Sequence, residues 1–310
     1  MGNQGKNEYQ HFIPKFLLRN FSDDHVNIYK NEDKIWKCCK IEKTGGADLF
    51  YGPPKCSLEM FFGHLETIVA DTIKQQKKLS QKQEKYMKLF IQLMAYRSPS
   101  KNKMFGEEYS IFRSSIKMHE NEVVHCLENE KQEFEMWIES FEKDFETKRI
   151  EKRHKKQFDD NDNSKFFPAI ISELLYIVPR LDKFFRIHVF ESDYDLVIGE
   201  TPTISKNFTP LENISNEEKI EPIHRNVIHW LPVASNKVVF MYTDNRNIVA
   251  QKDRKLRKQD ADILNYFQTK QNSFFYSRIP NLKIPEELAS NFEWVKHFNY
   301  VFGYKNIFYT

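Results

Sequence analysis

The chain has 310 residues, long enough to bury a sizeable core, and 40% of them are hydrophobic. Its 47 basic and 44 acidic side chains leave a formal charge of +3, so global charge does not demand nucleic acid as a partner. Phenylalanine is abundant at 27 and glycine scarce at 9, and no Gly-x-Gly-x-x-Gly or Walker-type loop appears, which argues against nucleotide-binding folds of those kinds.

Strong pattern begins at residues 10–21. Pro14 suits the first turn of a helix, where its missing N–H costs nothing, and Phe16, Leu17, Leu18 and Phe21 supply an apolar face. His11 and Arg19 lie at the two ends of that turn, where they either brace the fold or form an anion or metal site. Residues 26–29 and 35–41 read as a hairpin around Asn31-Glu32-Asp33, and Thr44-Gly45-Gly46 then breaks the chain.

From Leu58 onward, Phe61, Phe62, Leu65, Val69, Thr72 and Ile73 mark one helical face, and Glu66 falls inside that stripe. The next helix carries Tyr86, Leu89, Phe90, Leu93 and Met94, and its stripe ends on Arg97. Each helix therefore places one charge on an apolar face. An unpaired buried charge costs several kcal/mol, so Glu66 and Arg97 are expected either as an ion pair or as walls of a polar pocket shared with His11 and Arg19.

Residues 105–145 continue in helical pattern with an acidic, solvated face; the tract 148–156 is basic, and 166–181 reads as a further buried helix. Strands are expected over 184–190 and 195–198, the second running into Gly199-Glu200-Thr201-Pro202, where a strand end can aim Glu200 into a pocket or simply start a turn. A second hairpin joins 227–233 to 237–242 through Ala234-Ser235-Asn236. A helix follows from the basic run at 252 to about 270 with Asn265 among Ile263, Leu264 and Phe267, then a strand at 274–276, a linker at 280–285 and a last helix over 286–300.

Together these predict one α+β domain over 1–310: a helical bundle packed on a small, mainly antiparallel sheet built from distant segments. Its parts are an N-terminal helix and hairpin (8–56), a helical region (57–182) and a strand-rich region with C-terminal helices (183–310). The opening Met-Gly-Asn-Gln-Gly-Lys lacks a signal-peptide layout and no apolar run reaches membrane-spanning length, so a cytoplasmic protein with no membrane partner is expected. Cys38, Cys39, Cys56 and Cys126 form no Cys-x-x-Cys pair, and adjacent Cys38 and Cys39 would point to opposite faces of a strand as reduced thiols.

The run His11-Phe12-Ile13-Pro14 followed by Leu18-Arg19-Asn20-Phe21 resembles the opening signature of the bacterial family called domain of unknown function 4238. Leu58-Glu59 with Glu66, Phe90-Ile91-Gln92 with Arg97, Gly199-Glu200-Thr201-Pro202, and Leu264-Asn265 leading to Phe275-Tyr276-Ser277 resemble further pieces of its pattern in the right order. The family pattern reads Ser-Asp-Asn-Pro where this chain has Gly199-Glu200-Thr201-Pro202, so a carboxylate is kept but one methylene longer. The resemblance implies a fold and a bacterial setting; it assigns no reaction.

The physically odd charges and the family-like positions together nominate His11, Arg19, Glu66, Arg97, Glu200 and Asn265. In such a site His11 would move protons, Glu66 or Glu200 would hold a divalent ion such as Mg²⁺ or Mn²⁺ or orient the histidine, and the arginines would neutralise a phosphate. That chemistry fits a nuclease or nucleotide hydrolase acting as a toxin or anti-phage effector on nucleic acid or nucleotides. The competing expectation is a non-catalytic protein whose buried charges are structural and whose basic segments dock a protein partner or nucleic acid. Arg113 with His119, and Asp193 and Asp195 with Glu200, are weaker groupings: the first arises readily by chance, and the second lacks a Glu-x-Lys partner. His119 and His125 are six apart, not the four of a zinc helix.

Overall fold

The hairpin expected near residue 30 forms because Val26 and Ile28 alternate with polar neighbours, giving one face to the core and one to solvent. In the computed structural model of the protein, residues 9–48, 57–74, 79–97, 185–207, 227–243, 248–250, 255–286 and 302–304 are described. The chain opens with β1 (Tyr9–His11), α1 (Lys15–Arg19), β2 (His25–Lys30), β3 (Ile35–Lys40), a 3-10 turn (Ile41–Lys43) and β4 (Gly46–Asp48). Pro14 takes the cap position just before α1, in extended backbone, and its carbonyl accepts from Leu17 N and Leu18 N. Two long helices follow, α2 (Ser57–Lys74) and α3 (Gln81–Tyr96). Ser80 and Gln83 start α3 by reciprocal hydrogen bonds, each side chain accepting from the other's N–H at 3.3 and 2.9 Å.

The second half supplies β5 (Phe185–Glu191), β6 (Ile198–Gly199), β7 (Ile204–Asn207), β8 (Val227–Ala234), β9 (Lys237–Thr243), β10 (Ile248–Ala250), the helix α4 (Lys258–Lys270), β11 (Phe274–Ser277) and β12 (Phe302–Tyr304). Two four-stranded sheets run β3-β2-β11-β6 and β5-β9-β8-β7; β1 pairs with β4 and β10 with β12, every pair antiparallel. The first sheet joins residues 25–40 to residues 198–277, so an α+β architecture built from distant segments is what the chain adopts. The helices expected over 105–145 and 166–181, the acidic and basic tracts, Arg113 with His119, and residues 287–300 lie outside the described residues.

Two apolar clusters flank the β5-β9-β8-β7 sheet. On β8, Leu231 and Val233 face a core containing Leu17, Leu18, Phe62, Leu65, Phe90 and Leu93, while Ile228 and Trp230 face one containing Ile263, Leu264 and Phe267 of α4. β9, buried on both faces, reads accordingly as the unbroken run Val238-Val239-Phe240-Met241-Tyr242. Cys38 is exposed and Cys39 half-buried against the first core, both as free thiols.

The strand expected over 195–198 shrinks to the two residues of β6, for a specific reason. Asn265, Gln268 and Asn272, spaced on one face of α4 and its C-terminal end, replace a neighbouring strand with side-chain amides. Asn265 accepts from Val197 N at 2.9 Å and donates to Asp195 O at 2.8 Å; Gln268 accepts from Gly199 N at 2.8 Å and donates to Pro202 O at 2.7 Å; Asn272 accepts from Thr201 N at 2.6 Å. A Cβ on residue 199 would overlap the Asn272 amide, which accounts for glycine there. Gln268 is fully buried, so Gln268→Leu strips partners from the Gly199 N–H and the Pro202 carbonyl at once. The expected cost is about 2–5 kcal/mol in urea unfolding, from two orphaned backbone groups. A cost near zero would mean that these groups find other partners.

The helix expected from residue 252 begins only at Lys258. Asp260 caps it by accepting from Arg257 N at 2.8 Å, while Leu256 N donates to Glu191 O at 2.8 Å and keeps the preceding chain extended.

A candidate site between the opening signature and the long helices

Arg97 organises the junction. It ends α3, where its N–H still reaches Leu93 O, and its guanidinium is 3% exposed. Nη1 donates to Glu66 Oε1 on α2 at 2.5 Å, Nη2 donates to the His11 carbonyl on β1 at 2.6 Å, and the plane lies 4.1 Å from the centroid of Phe62. One side chain thus ties three elements together. Burial pushes the Glu66 carboxyl up and the Arg97 charge pulls it back.

Next to this clamp lies a solvent-open cavity of about 500 Å³ lined by Tyr9, His11, Lys15, Arg19, Glu66, Asp71, Lys74 and Arg97, among others. Lys15 and Arg19 are four apart on α1, and Glu66, Ala70 and Lys74 are successive turns of α2, so helical spacing delivers both walls. Four cationic side chains face two carboxylates there. Arg19 is half-exposed and donates to Glu42 Oε1 at 3.1 Å.

His11 sits at the strand end, held by β1–β4 pairing with Gly46. Its Nε2 is 3.1 Å from Ile41 O; a carbonyl only accepts, so Nε2 carries the proton and Nδ1 the lone pair. Burial first, then the charges of Lys15 and Arg97, lower its pKa from the ordinary 6.5 to about 4, so the ring is neutral at neutral pH. The Tyr9 ring stands edge-on to it at 5.0 Å; burial raises that phenol's pKa, and its oxygen accepts from Gly46 N at 3.2 Å.

The other two nominated residues lie elsewhere. Asn265 spends its amide on residues 195 and 197, as described above. Glu200 is 4% exposed and does not line the cavity; its charge, after burial, helps hold the Tyr276 phenol above its usual range, and Thr44 Oγ1 donates to that phenol at 3.4 Å. Asp193 and Asp195 form exposed pairs with Lys255 at 3.0 Å and Arg278 at 2.7 Å. Among the described residues no three His, Cys, Asp or Glu side chains stand together as a metal site, and Glu66 and Asp71 are the carboxylates the cavity offers.

A family model described as "Protein of unknown function (DUF4238)" matches residues 9–301. The chain belongs to that family. The matched range takes in the opening signature, the residues lining the cavity and the 195–202 segment. No curated protein and no solved structure matches the chain. Among the described residues no helix is long and apolar enough to cross a membrane.

Tyr9, Lys15, Asp71 and Lys74 line the cavity without having been nominated from sequence. Tyr9 shares the strand face of His11 by period two; Lys15 is four from Arg19, Lys74 eight from Glu66, and Asp71 four from Thr67, which also lines the cavity.

Proposed function

We propose that this chain is a hydrolase of phosphodiester or nucleotide bonds and that the cavity at His11 is its working site. The observation supporting this reading is the convergence of a neutral histidine, four cationic side chains and two carboxylates on one open cavity. Lys15, Arg19 and Lys74 bind the phosphoryl group; Arg97, already committed to Glu66 and the His11 carbonyl, positions His11 instead of touching substrate. His11 Nδ1 takes the proton from the attacking hydroxyl or water, and the protonated Tyr9 phenol stabilises charge on the leaving side. A bound phosphate offsets the charge of Lys15, one of the smaller causes of the lowered imidazole pKa, while burial, the largest cause, keeps the ring neutral and able to accept a proton.

Under this reading the chain acts inside bacterial cells as a toxin or anti-phage effector, folds as a single domain, and completes a helical bundle from its 57–182 region. Arg19→Ala is expected to raise KM for the hydrolysed substrate about tenfold or more with little change in melting. The lost contact is charge-assisted, whereas the Arg19–Glu42 pair is exposed on both sides and contributes little to stability. An unchanged KM removes Arg19 from the phosphate site.

One observation favours a non-catalytic nucleic-acid-binding or interaction protein: Glu66 and Arg97 are already paired, as a purely structural network would have them. Under that reading the wild-type protein hydrolyses nothing, and substitutions in the cavity change stability or binding alone.

A further inference from the structure

Three aromatic side chains stand in one row across the β3-β2-β11-β6 sheet. Trp36 pairs with Tyr29 and Tyr29 with Phe275; the row then ends on Gly199 of β6, whose missing side chain leaves room for the Asn272 amide. The rings form a triangle, with Tyr29–Trp36 at 5.2 Å, Tyr29–Phe275 at 5.1 Å and Trp36–Phe275 at 5.6 Å between centroids. Phe275 is buried, yet Tyr29 and Trp36 are only half-buried, because a solvent-open cleft of about 660 Å³ lies over them. The end of α4 and the extended segment at 282–286 form its walls. Asn31 fixes one wall by donating to Thr269 O at 2.9 Å and to Asn272 O at 2.7 Å.

The rim is charged. Lys270 and Lys283 are exposed there against one carboxylate, Glu286, and Lys270 Nζ lies 5.5 Å from the Tyr266 ring centroid. A floor of π-faces with ammonium groups at its edge recognises a planar heteroaromatic ring that carries an anion. We propose that this cleft binds a nucleobase with its attached phosphate, the ring stacking on Trp36 with the Tyr29 ring, tilted by 53°, beside it, and the phosphate meeting Lys270 and Lys283. The shared chemistry belongs equally to a free nucleotide and to one unit of a single strand. The proposal does not depend on hydrolysis at His11.

The test uses the full-length chain carrying His11→Asn, so that turnover cannot consume the probe. Adenosine monophosphate is titrated by calorimetry and a short fluorescein-labelled oligoadenylate by anisotropy. At least one probe is expected to bind, and Trp36→Ala and Lys283→Glu are each expected to weaken it about tenfold or more. Binding of the monophosphate identifies a free-nucleotide site; binding of the oligomer alone identifies a strand. Should Trp36→Ala melt early, Lys283→Glu on the exposed rim decides the matter. No binding of either probe at millimolar concentration, or binding that Lys283→Glu leaves unchanged, overturns the proposal.

Discussion

Replacing Arg97 by alanine is expected to cost about 3–5 kcal/mol of folding stability, read as a lowered midpoint in guanidinium unfolding. The side chain is 3% exposed and holds both the Glu66 carboxylate and the His11 carbonyl. Its removal leaves Glu66 with an uncompensated charge and the His11 carbonyl without this donor, and it empties the space over Phe62. Glu66→Gln keeps an acceptor for Nη1 but leaves the buried Arg97 charge without its counter-ion, so it too is expected to be clearly destabilising. The double variant Arg97→Met with Glu66→Leu, which removes both charges together, is expected to recover a large part of the loss, the usual behaviour of buried pairs replaced by apolar groups. A loss below about 1 kcal/mol for Arg97→Ala would show that the three elements do not depend on it.

Much of this junction was legible in the sequence because a charge inside an apolar helical stripe has few explanations. Glu66 and Arg97 each break the period of an otherwise clean face, and the structure resolves them as partners that also wall the cavity. The two long helices followed from period 3.6, and both hairpins from short runs of strand-forming residues separated by turn residues. What sequence could not show is where backbone groups find partners outside the usual ladders. Residues 195–197 look like a strand, but the Asp195 carbonyl and the Val197 N–H go to Asn265 of α4 while the Leu196 N–H goes to the Ser235 carbonyl, and only the fold reveals that a helix side chain takes the place of a strand there. The same cause separates Asn265 from His11: a polar residue among Ile263, Leu264 and Phe267 signals a buried bond without saying to whom. β1 and β4, three residues each, are too short to carry a period, so Tyr9 gave no signal of its own. The cavity wall at Asp71 and Lys74 was hidden for the opposite reason, since exposed charges on a helix normally mean solvent.

The largest effect on activity is expected at His11. Its neutral imidazole, with Nε2–H given to Ile41 O, is held in the tautomer that presents a lone pair on Nδ1. His11→Asn removes the proton acceptor and, being shorter, also gives up the Nε2–H bond to Ile41 O, a loss that the longer amide of His11→Gln avoids; hydrolysis by either variant is expected to fall about 10²–10⁴-fold, the usual contribution of a positioned acid–base group. The pH profile carries a second signature. In the free enzyme the acid limb of kcat/KM is expected near pH 4, not near 6.5, because the limb follows the depressed pKa. The same shift acts on stability: the unfolded chain takes up the proton first, so folding is expected to weaken as the pH falls from about 6.5 toward about 4, and His11→Asn removes His11's share of that dependence while buried His229, lowered to about 4 by burial, keeps its own.

The decisive measurement is hydrolysis of RNA, DNA and nucleotide substrates by purified wild-type and His11→Gln protein side by side, with and without Mg²⁺ or Mn²⁺, alongside thermal melts of both. A hydrolytic wild type and an inactive variant with the same melting temperature are the predicted result. A wild-type protein inert on every substrate, or a variant that hydrolyses as well as wild type, would contradict the assignment of the cavity as a phosphoryl-transfer site.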